Sequence, residues 1–230
     1  MIIRYLLAAL AAGLLAGILM TPVQFAKTIP LILHAETFEA AGHEHDAAAG
    51  HAQNPAHAQA SGEEKPLLFG RFWNTLFANL VTGAGYALLM AGVSLLSGVD
   101  VRSATGLAWG AAGWLAVQFL PGLGLPPELP GFPYADIYAR QYWWMAAVAA
   151  SGLGMILLLL RPERWAHLAG ILLLIAPHVY GAPQPADISS NVPALLAAEY
   201  VMASLAITLF FWLALGLALG FFMEKTGKPA

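Results

Sequence analysis

The chain has 230 residues, of which 59% are hydrophobic and only 10% charged, and its formal net charge is −3. Because soluble domains carry about 25% charged residues, this composition excludes an ordinary soluble protein and predicts a membrane protein. The small net charge, without a basic cluster, argues against nucleic acid as a partner. Cysteine is absent, which excludes thiolate zinc sites, iron–sulfur clusters and disulfides.

The first predicted element is a transmembrane helix over Ile2–Met20. Its apolar run is longer than the ~7–15 residues of a signal-peptide core, so we interpret it as an uncleaved span. Apolar residues continue beyond Pro22 toward Leu33. The first region, 1–41, is therefore predicted to be a transmembrane helix with an outer extension.

Ionisable side chains follow at the outer end of this helix, in PLILHAETFE. On a helix, Glu36 and Glu39 share a face, and His43 lies one turn beyond them. His34 is close to that face but is not in line with it. Ionisable groups at the edge of a membrane indicate an ion path or a paired contact. The alternative is that the two glutamates simply end the apolar helix in water.

A histidine-rich segment follows, within a predicted extracytoplasmic loop at 42–73. Imidazole and carboxylate are ligands that Co²⁺, Ni²⁺ and Zn²⁺ accept. The segment therefore predicts metal binding, although a solvated, alanine-rich linker is the alternative. Its imidazoles and interleaved carboxylates are His43, His45, His51 and His57 with Glu44 and Asp46.

Five more apolar segments complete a predicted bundle over 74–222, followed by a cytoplasmic tail at 223–230. A span needs about 20 apolar residues, and the fifth segment of the chain, with about 15, is marginal. The predicted fold is an all-α, polytopic inner-membrane helical bundle with six transmembrane helices, or five if that segment does not span. The five segments are 76–96, 104–120, 142–160, 166–180 and 195–222.

The distribution of basic residues predicts the orientation. With six spans and a cytoplasmic N-terminus, most Lys and Arg residues of the short loops and tails lie inside, as the positive-inside rule requires. The histidine-rich segment then faces outward. Three GxxxG pairs predict close helix packing: Gly13 with Gly17, Gly106 with Gly110, and Gly216 with Gly220.

Other polar candidates lie near the predicted outer surface. His178 follows Pro177 at the end of a short span, and broken helices often form transporter substrate sites; an interfacial histidine is the alternative. Asp136 and Arg140 are four residues apart on a helix, which favours a structural pair. Glu199 is a lone carboxylate in apolar sequence and requires a partner.

Several catalytic motifs are absent from the sequence. It has no G-x-x-x-x-G-K-[ST] loop, no H-E-x-x-H helix and no G-x-S-x-G elbow. We therefore expect no enzyme activity, no prosthetic group and no nucleotide hydrolysis. A membrane enzyme that uses His178 as acid or base remains the least favoured alternative.

Four separated segments resemble the CbtA family of predicted cobalt-transporter subunits of bacterial inner membranes. The resemblance covers about residues 1–222. The segments are PLILHAETFE after the first span, PPELPGFPYADIYARQYWW, IAPHVYGAPQP and VPALLAAEYVMASLAITLFFWLALGLALG.

The resemblance implies a cobalamin-linked permease subunit with a small, single-span, histidine-rich partner of the CbtB type. It also implies functional roles for Glu36, Glu39, Asp136, Arg140, Gln141, His178 and Gln184. His34 stands where an acidic residue is expected.

The resulting hypothesis is a multi-pass subunit of the bacterial inner membrane that takes up a divalent metal. Co²⁺ is the expected ion, with Ni²⁺ or Zn²⁺ as alternatives, and the bilayer, the metal, the partner subunit and a second copy of the chain are the candidate partners. The competing hypothesis is a membrane-bound metal chaperone or sensor that does not transport. The candidate metal ligands are His34, Glu36, Glu39, His43, His45 and His178, with Asp136, Arg140, Gln141, Gln184 and Glu199 as further site residues.

Overall fold

The computed structural model describes residues 2–48 and 70–226, with the backbone alone for 40–48. Every regular element in these ranges is helical. The helices are α1 (Ile2–Ala26), α2 (Thr28–Ala48), α3 (Gly70–Ser97), α4 (Gly106–Trp114), a π-helical turn (Leu115–Phe119), α5 (Leu120–Gly122), α6 (Ile137–Leu160), α7 (Arg164–Tyr180) and α8 (Ala194–Thr226).

The first helix continues beyond the predicted span. Pro22 lies inside α1 without ending it, and the helix stops at Ala26. After a turn at Lys27, α2 begins at Thr28 and includes Pro30 in its first turn, where a missing N–H is tolerated. Helical structure therefore does extend past Pro22 and Leu33, but as two helices: the first runs through Pro22, and the break lies at Lys27.

Small residues allow the helices to approach closely. A Cβ added to Gly13 of α1 would collide with the backbone of Gly83 in α3. One added to Gly106 of α4 would collide with Gly216 in α8. The prediction that the GxxxG pairs mark helix contacts is confirmed for all three pairs, since Gly17, Gly110 and Gly220 also abut neighbouring backbone.

Helices α1 and α8 contact each other and most of the remaining bundle. Helix α1 packs against α3 and α8, and α4 also packs against α8. Helices α6 and α7 form a pair that joins the rest through the π-helical turn and α5. The fully buried side chains of Trp212, Leu215 and Leu219 place the core along α8.

Four of the described helices are long and apolar enough to cross a membrane: Ile2–Ala26, Gly70–Ser97, Ile137–Leu160 and Ala194–Thr226. The other two predicted spans are also helical, but shorter. The combined segment 106–122 and α7 are each about 26 Å long at 1.5 Å per residue, close to the ~30 Å of a hydrocarbon core. The described residues therefore confirm an all-helical fold with four candidate membrane spans, and the count of six or five stays a prediction.

The antiparallel helices give the bundle two distinct ends. We call the end formed by α2, the start of α3 and the loops at 123–136 and 181–193 the α2 end. The opposite end contains the start of α1, the loops at 98–105 and 161–163, and the end of α8. The α2 helix reaches Ala48 and α3 begins at Gly70, so both helices extend into the region 42–73 predicted as a loop.

Candidate functional site

The α2 end is organised by a small apolar cluster. Ala35 of α2 is fully buried against Leu129, Val192 and Leu196, which come from the two loops and the start of α8. The burial of these side chains fixes α2 against the bundle. Parts of three of the sequence segments noted above, around residues 30–39, 126–132 and 192–200, therefore meet at one place.

Gly131 joins these three segments. Its φ of +78° is a conformation that favours glycine. A Cβ at this position would lie 3.2 Å from Val192 Cγ2 and 3.5 Å from Glu39 Cβ. The hydroxyl of Ser190 donates to the carbonyl of Gly131 at 3.0 Å. The close approach of the loop to α2 thus depends on the missing side chain.

Glu36 forms an ion pair with Arg71 at the start of α3. Both terminal nitrogens of Arg71 lie 3.3 Å from Glu36 Oε1, and one lies 3.4 Å from Oε2. The two side chains are 36% and 33% exposed, so solvent screens the pair. The carboxylate predicted to contact a metal is therefore already partly neutralised by a cation of the same chain.

The other candidates on α2 lie in different surroundings. Glu39 is half-buried beside Gly131, whereas His34 is exposed, with its ring centroid 5.4 Å from that of Phe38. His43 is four residues beyond Glu39 in the same helix and hence near the same face. The side chains of His43 and His45 lie outside the described residues, so their role stays a prediction.

The prediction that Arg140 pairs with Asp136 was wrong. Arg140 Nη2 lies 2.7 Å from Glu128 Oε2, and both side chains are mostly buried. Asp136 instead accepts a hydrogen bond of 2.9 Å from the backbone N–H of Ala139 and caps α6. Gln141 is exposed on the following position. The ion pair ties the proline-rich loop to α6.

His178 occupies the last turn of α7 beside a buried tryptophan. Its ring centroid lies 6.0 Å from that of Trp143 at a steep angle. The His178 Nε2 and Trp143 Nε1 atoms are both buried, and neither has a hydrogen-bond partner within the described part of the chain. Gly124 makes room for the indole, since a Cβ there would collide with Trp143. Buried polar atoms without partners are rare and mark a place where a ligand or water can bind.

Pro177 does not break α7 in the way predicted. The helix continues through Pro177 to Tyr180 and ends at Gly181, whose φ is +90°. His178 is therefore held on a helical turn rather than in an unwound segment, because a proline near the end of a helix disrupts few backbone hydrogen bonds.

The remaining candidates are exposed near this end. The amide of Gln184 donates to the neighbouring Ala182 carbonyl at 3.4 Å. Glu199 is exposed on the second turn of α8, and the partner predicted for it stays a prediction. Ser189 donates to Asp187 from its backbone and its hydroxyl, and these bonds hold the pKa of that carboxyl below its usual range.

No three His, Asp or Glu side chains come close enough to hold a metal ion within the described residues. The candidate ligands with described side chains, His34, Glu36, Glu39 and His178, therefore do not assemble into one site by themselves. A complete coordination sphere at the α2 end would need further ligands, and imidazoles of the histidine-rich segment are the nearest in sequence.

Sequence reasoning did not predict the contacts of several residues that shape this end: Arg71, Glu128, Gly131 and Trp143. A further polar contact lies between α1 and α3, where Asn79 donates to Thr21 Oγ1 at 3.0 Å and to Gln24 Oε1 at 2.7 Å. Asn79 is a polar residue within an apolar stretch of sequence, and its partners lie 58 and 55 residues away along the chain. Such buried bonds hold transmembrane helices together.

Charge is distributed unequally between the two ends. Among the described residues of the α2 end, the carboxylates outnumber the cations. They are Glu36, Glu39, Glu128, Asp136, Asp187 and Glu199, against Lys27, Arg71 and Arg140. At the opposite end the cations are in excess: Arg4, Arg102, Arg161, Arg164 and Lys225, against Asp100, Glu163 and Glu224. The field of the protein therefore attracts cations to the α2 end.

A family model described as "Probable cobalt transporter subunit (CbtA)" matches residues 2–224. The chain belongs to the CbtA family. The match covers nearly the whole chain, including both ends of the bundle and all four sequence segments. No curated protein and no solved structure matches it.

Membership of the CbtA family implies several general properties of the chain. The family is one of transporter subunits rather than enzymes, and a subunit implies a partner. The family description names cobalt as the transported ion. The long apolar helices are consistent with a protein embedded in a membrane. The resemblance noted in the sequence is therefore confirmed.

Proposed function

We propose that the chain is the membrane subunit of a divalent-metal uptake system of the bacterial inner membrane, with Co²⁺ as the expected substrate. The observation that carries this proposal is the acidic α2 end, to which the histidine-rich segment is joined on both sides. Carboxylates concentrate cations by their field, and imidazoles bind Co²⁺ directly. The family description supplies the metal.

The proposed topology has six spans, with 106–122 and α7 as the two shorter ones. This arrangement places the cationic end in the cytoplasm and the α2 end outside, in agreement with the positive-inside rule. Spans of about 26 Å fit a bilayer that thins slightly around them.

Capture and transfer are proposed to be separate steps. Metal is first held by imidazoles of residues 43–57 and then passes to the carboxylates of Glu36 and Glu39 on α2. His178 lies deeper at the same end, and its buried Nε2 is free to accept a metal. The described residues form no complete metal site, so we assign the missing ligands to the histidine-rich segment and to a CbtB-like partner.

The membrane potential can drive this uptake without nucleotide hydrolysis. A divalent cation gains about 4.6 kcal/mol per 100 mV on moving to the negative side, from ~2.3 kcal/mol per charge. No P-loop motif is present in the sequence, so a potential, an ion gradient or a partner must supply the energy.

A metal chaperone or sensor that does not transport is the second candidate. One observation favours it: the described residues form no cluster of His, Asp or Glu side chains that could hold a metal ion along a path through the bundle, and apolar surroundings offer a cation no ligands. In this alternative, metal binds at the α2 end and is handed to another protein.

Radioactive Co²⁺ uptake into proteoliposomes tests the proposal. Vesicles contain the chain with or without its single-span partner, and a potassium diffusion potential makes the interior negative. We expect uptake that requires both the potential and the partner. Binding of Co²⁺ at equilibrium without any accumulation, in vesicles with both subunits, would instead establish the chaperone or sensor.

A further inference from the structure

An apolar groove lies between α3 and α6, away from the α2 end. Its volume is 540 Å³, and its floor is formed by α4 together with Trp212 of α8. The α3 wall runs from Leu89 to Val93, with Val99 of the following loop beyond it, and the α6 wall runs from Val148 to Leu160. Gly152 widens it, because a Cβ there would meet no atom within 4 Å, whereas the space beside Gly113 is filled by the Trp212 ring.

The groove opens sideways onto the surface that faces lipid. Three of its lining side chains remain largely exposed: Leu89 at 53%, Leu153 at 50% and Leu159 at 63%. An apolar hollow of this kind does not hold water, because it offers water no hydrogen-bond partners. Hydrocarbon is therefore its natural occupant.

The length of the groove matches one leaflet of a bilayer. The α6 wall covers about 18 Å at 1.5 Å per residue, whereas half of a hydrocarbon core measures ~15 Å. A partner helix that crosses the membrane would need a groove of about twice this length. A lipid chain from the leaflet at the cationic end fits the dimension.

Positive charge borders the end of the groove where that leaflet meets water. Arg161 follows Leu160 directly and is exposed. Arg102 lies between Val99 and Thr105, two other lining residues, and its side chain is 64% exposed. One terminal nitrogen of Arg102 contacts Asp100 Oδ2 at 3.1 Å, and Glu224 is a second acidic neighbour. The guanidinium carries five N–H donors, more than the contact with Asp100 uses.

We propose that this groove binds one anionic phospholipid, with an acyl chain in the hollow and the phosphate beside Arg161 and Arg102. Guanidinium groups donate in pairs to phosphate oxygens, and basic pockets between transmembrane helices select anionic headgroups. The apolar lining takes the chain, and the arginines supply the selection for charge. The site differs from the metal-binding end in both place and chemistry.

Competitive lipid retention tests the proposal. The full chain, purified in detergent, is incubated with equal amounts of dioleoyl-phosphatidylglycerol and dioleoyl-phosphatidylcholine, re-isolated and analysed by mass spectrometry. We expect about fivefold more of the anionic lipid, the factor that one basic residue near a phosphate provides. Arg161→Gln should bring the ratio close to one, with a smaller change for Arg102→Gln, which is partly paired with Asp100.

Gly152→Leu tests the hollow itself. A Cβ at Gly152 meets no atom within 4 Å, so the larger side chain fills the groove without disturbing the helices, and both lipids should be lost. The controls are Gly85→Leu, equally free of contacts but outside the groove, and Arg4→Gln, at the same end on α1. Equal retention of both lipids by the unaltered chain, or control variants as damaging as Gly152→Leu and Arg161→Gln, would overturn the proposal.

Discussion

The guanidinium of Arg71 lies 3.3 Å from the carboxylate of Glu36, so this carboxylate is already paired with a cation of the same chain. A metal ion that binds Glu36 must displace this arginine or share the carboxylate with it. The pair is about one-third exposed and hence weak, worth at most about 1 kcal/mol. Such a pair holds α2 in place yet yields to a divalent ion.

Arg71→Gln should therefore increase the affinity for Co²⁺. Loss of the competing charge should lower the half-saturating concentration for uptake by up to about fivefold, which corresponds to ~1 kcal/mol. Lys27→Gln is the matched control, since it removes the same charge from the same end without an observed contact to Glu36. An unchanged or higher half-saturating concentration for Arg71→Gln would exclude Glu36 from the metal path.

Gly131→Ala should destabilise the α2 end. The positive φ adds about 1–2 kcal/mol for an alanine, and the new Cβ would press on Val192 and Glu39. Gly98→Ala is the control for the cost of the positive φ alone, because Gly98 has φ +72° and an added Cβ there would meet no atom within 4 Å. Thermal unfolding in detergent should show a larger loss for Gly131→Ala. Equal losses would mean that the contact with α2 contributes nothing.

The sequence predicts the helices well because their signal is local. A run such as Ile2–Met20 is apolar enough to be recognised without knowledge of its neighbours, and the glycine pairs indicate close packing. The sequence does not predict which helix each glycine face contacts. Nothing in the sequence around Gly13 says that it meets Gly83 rather than a glycine of another helix.

The side-chain pairs were harder to predict for the same reason. Glu36 and Arg71 are 35 residues apart, separated by the histidine-rich segment, so no helical spacing relates them. Arg140 has an acidic residue four positions before it, but it pairs with Glu128 because the proline-rich loop folds back over the start of α6. Helical spacing predicts which side chains can pair within one helix. A side chain from another part of the fold can form the pair instead, and its position cannot be read from that spacing.

His178→Gln should reduce uptake without affecting insertion. Glutamine keeps a hydrogen-bonding group of similar size but lacks the imidazole nitrogen that binds Co²⁺. His167→Gln, near the opposite end of α7, is the control and should behave like the unaltered chain. Uptake is measured at limiting Co²⁺ and matched protein levels. Equal rates for His178→Gln and the unaltered chain would leave this histidine with a structural role beside Trp143.

The six-span topology predicts that the two chain ends lie on the same side. Reporter fusions after Lys225 should show fluorescence and no alkaline phosphatase activity, because a cytoplasmic phosphatase does not acquire its disulfides. A fusion within the 181–193 loop should show the reverse pattern. An active phosphatase after Lys225 would mean that one of the two shorter segments, 106–122 or α7, does not cross.

The histidine-rich segment should matter only when metal is scarce. Replacement of its four histidines by glutamine removes the imidazoles that capture Co²⁺ and leaves the acidic α2 end intact. Uptake should fall several-fold at limiting Co²⁺ and should be unchanged at saturating Co²⁺. The positions are His43, His45, His51 and His57.

Two further variants separate coordination from charge in this segment. Gln53→Ala with Gln59→Ala alters the same region without removing a ligand and should have no effect on uptake. Glu44→Gln with Asp46→Asn keeps the imidazoles and removes two negative charges. If these carboxylates act only through their field, the effect should decrease as salt screens it. If the histidine-to-glutamine chain fails to transport even at saturating Co²⁺, the segment belongs to the transport path itself, and capture and transfer are not separate steps.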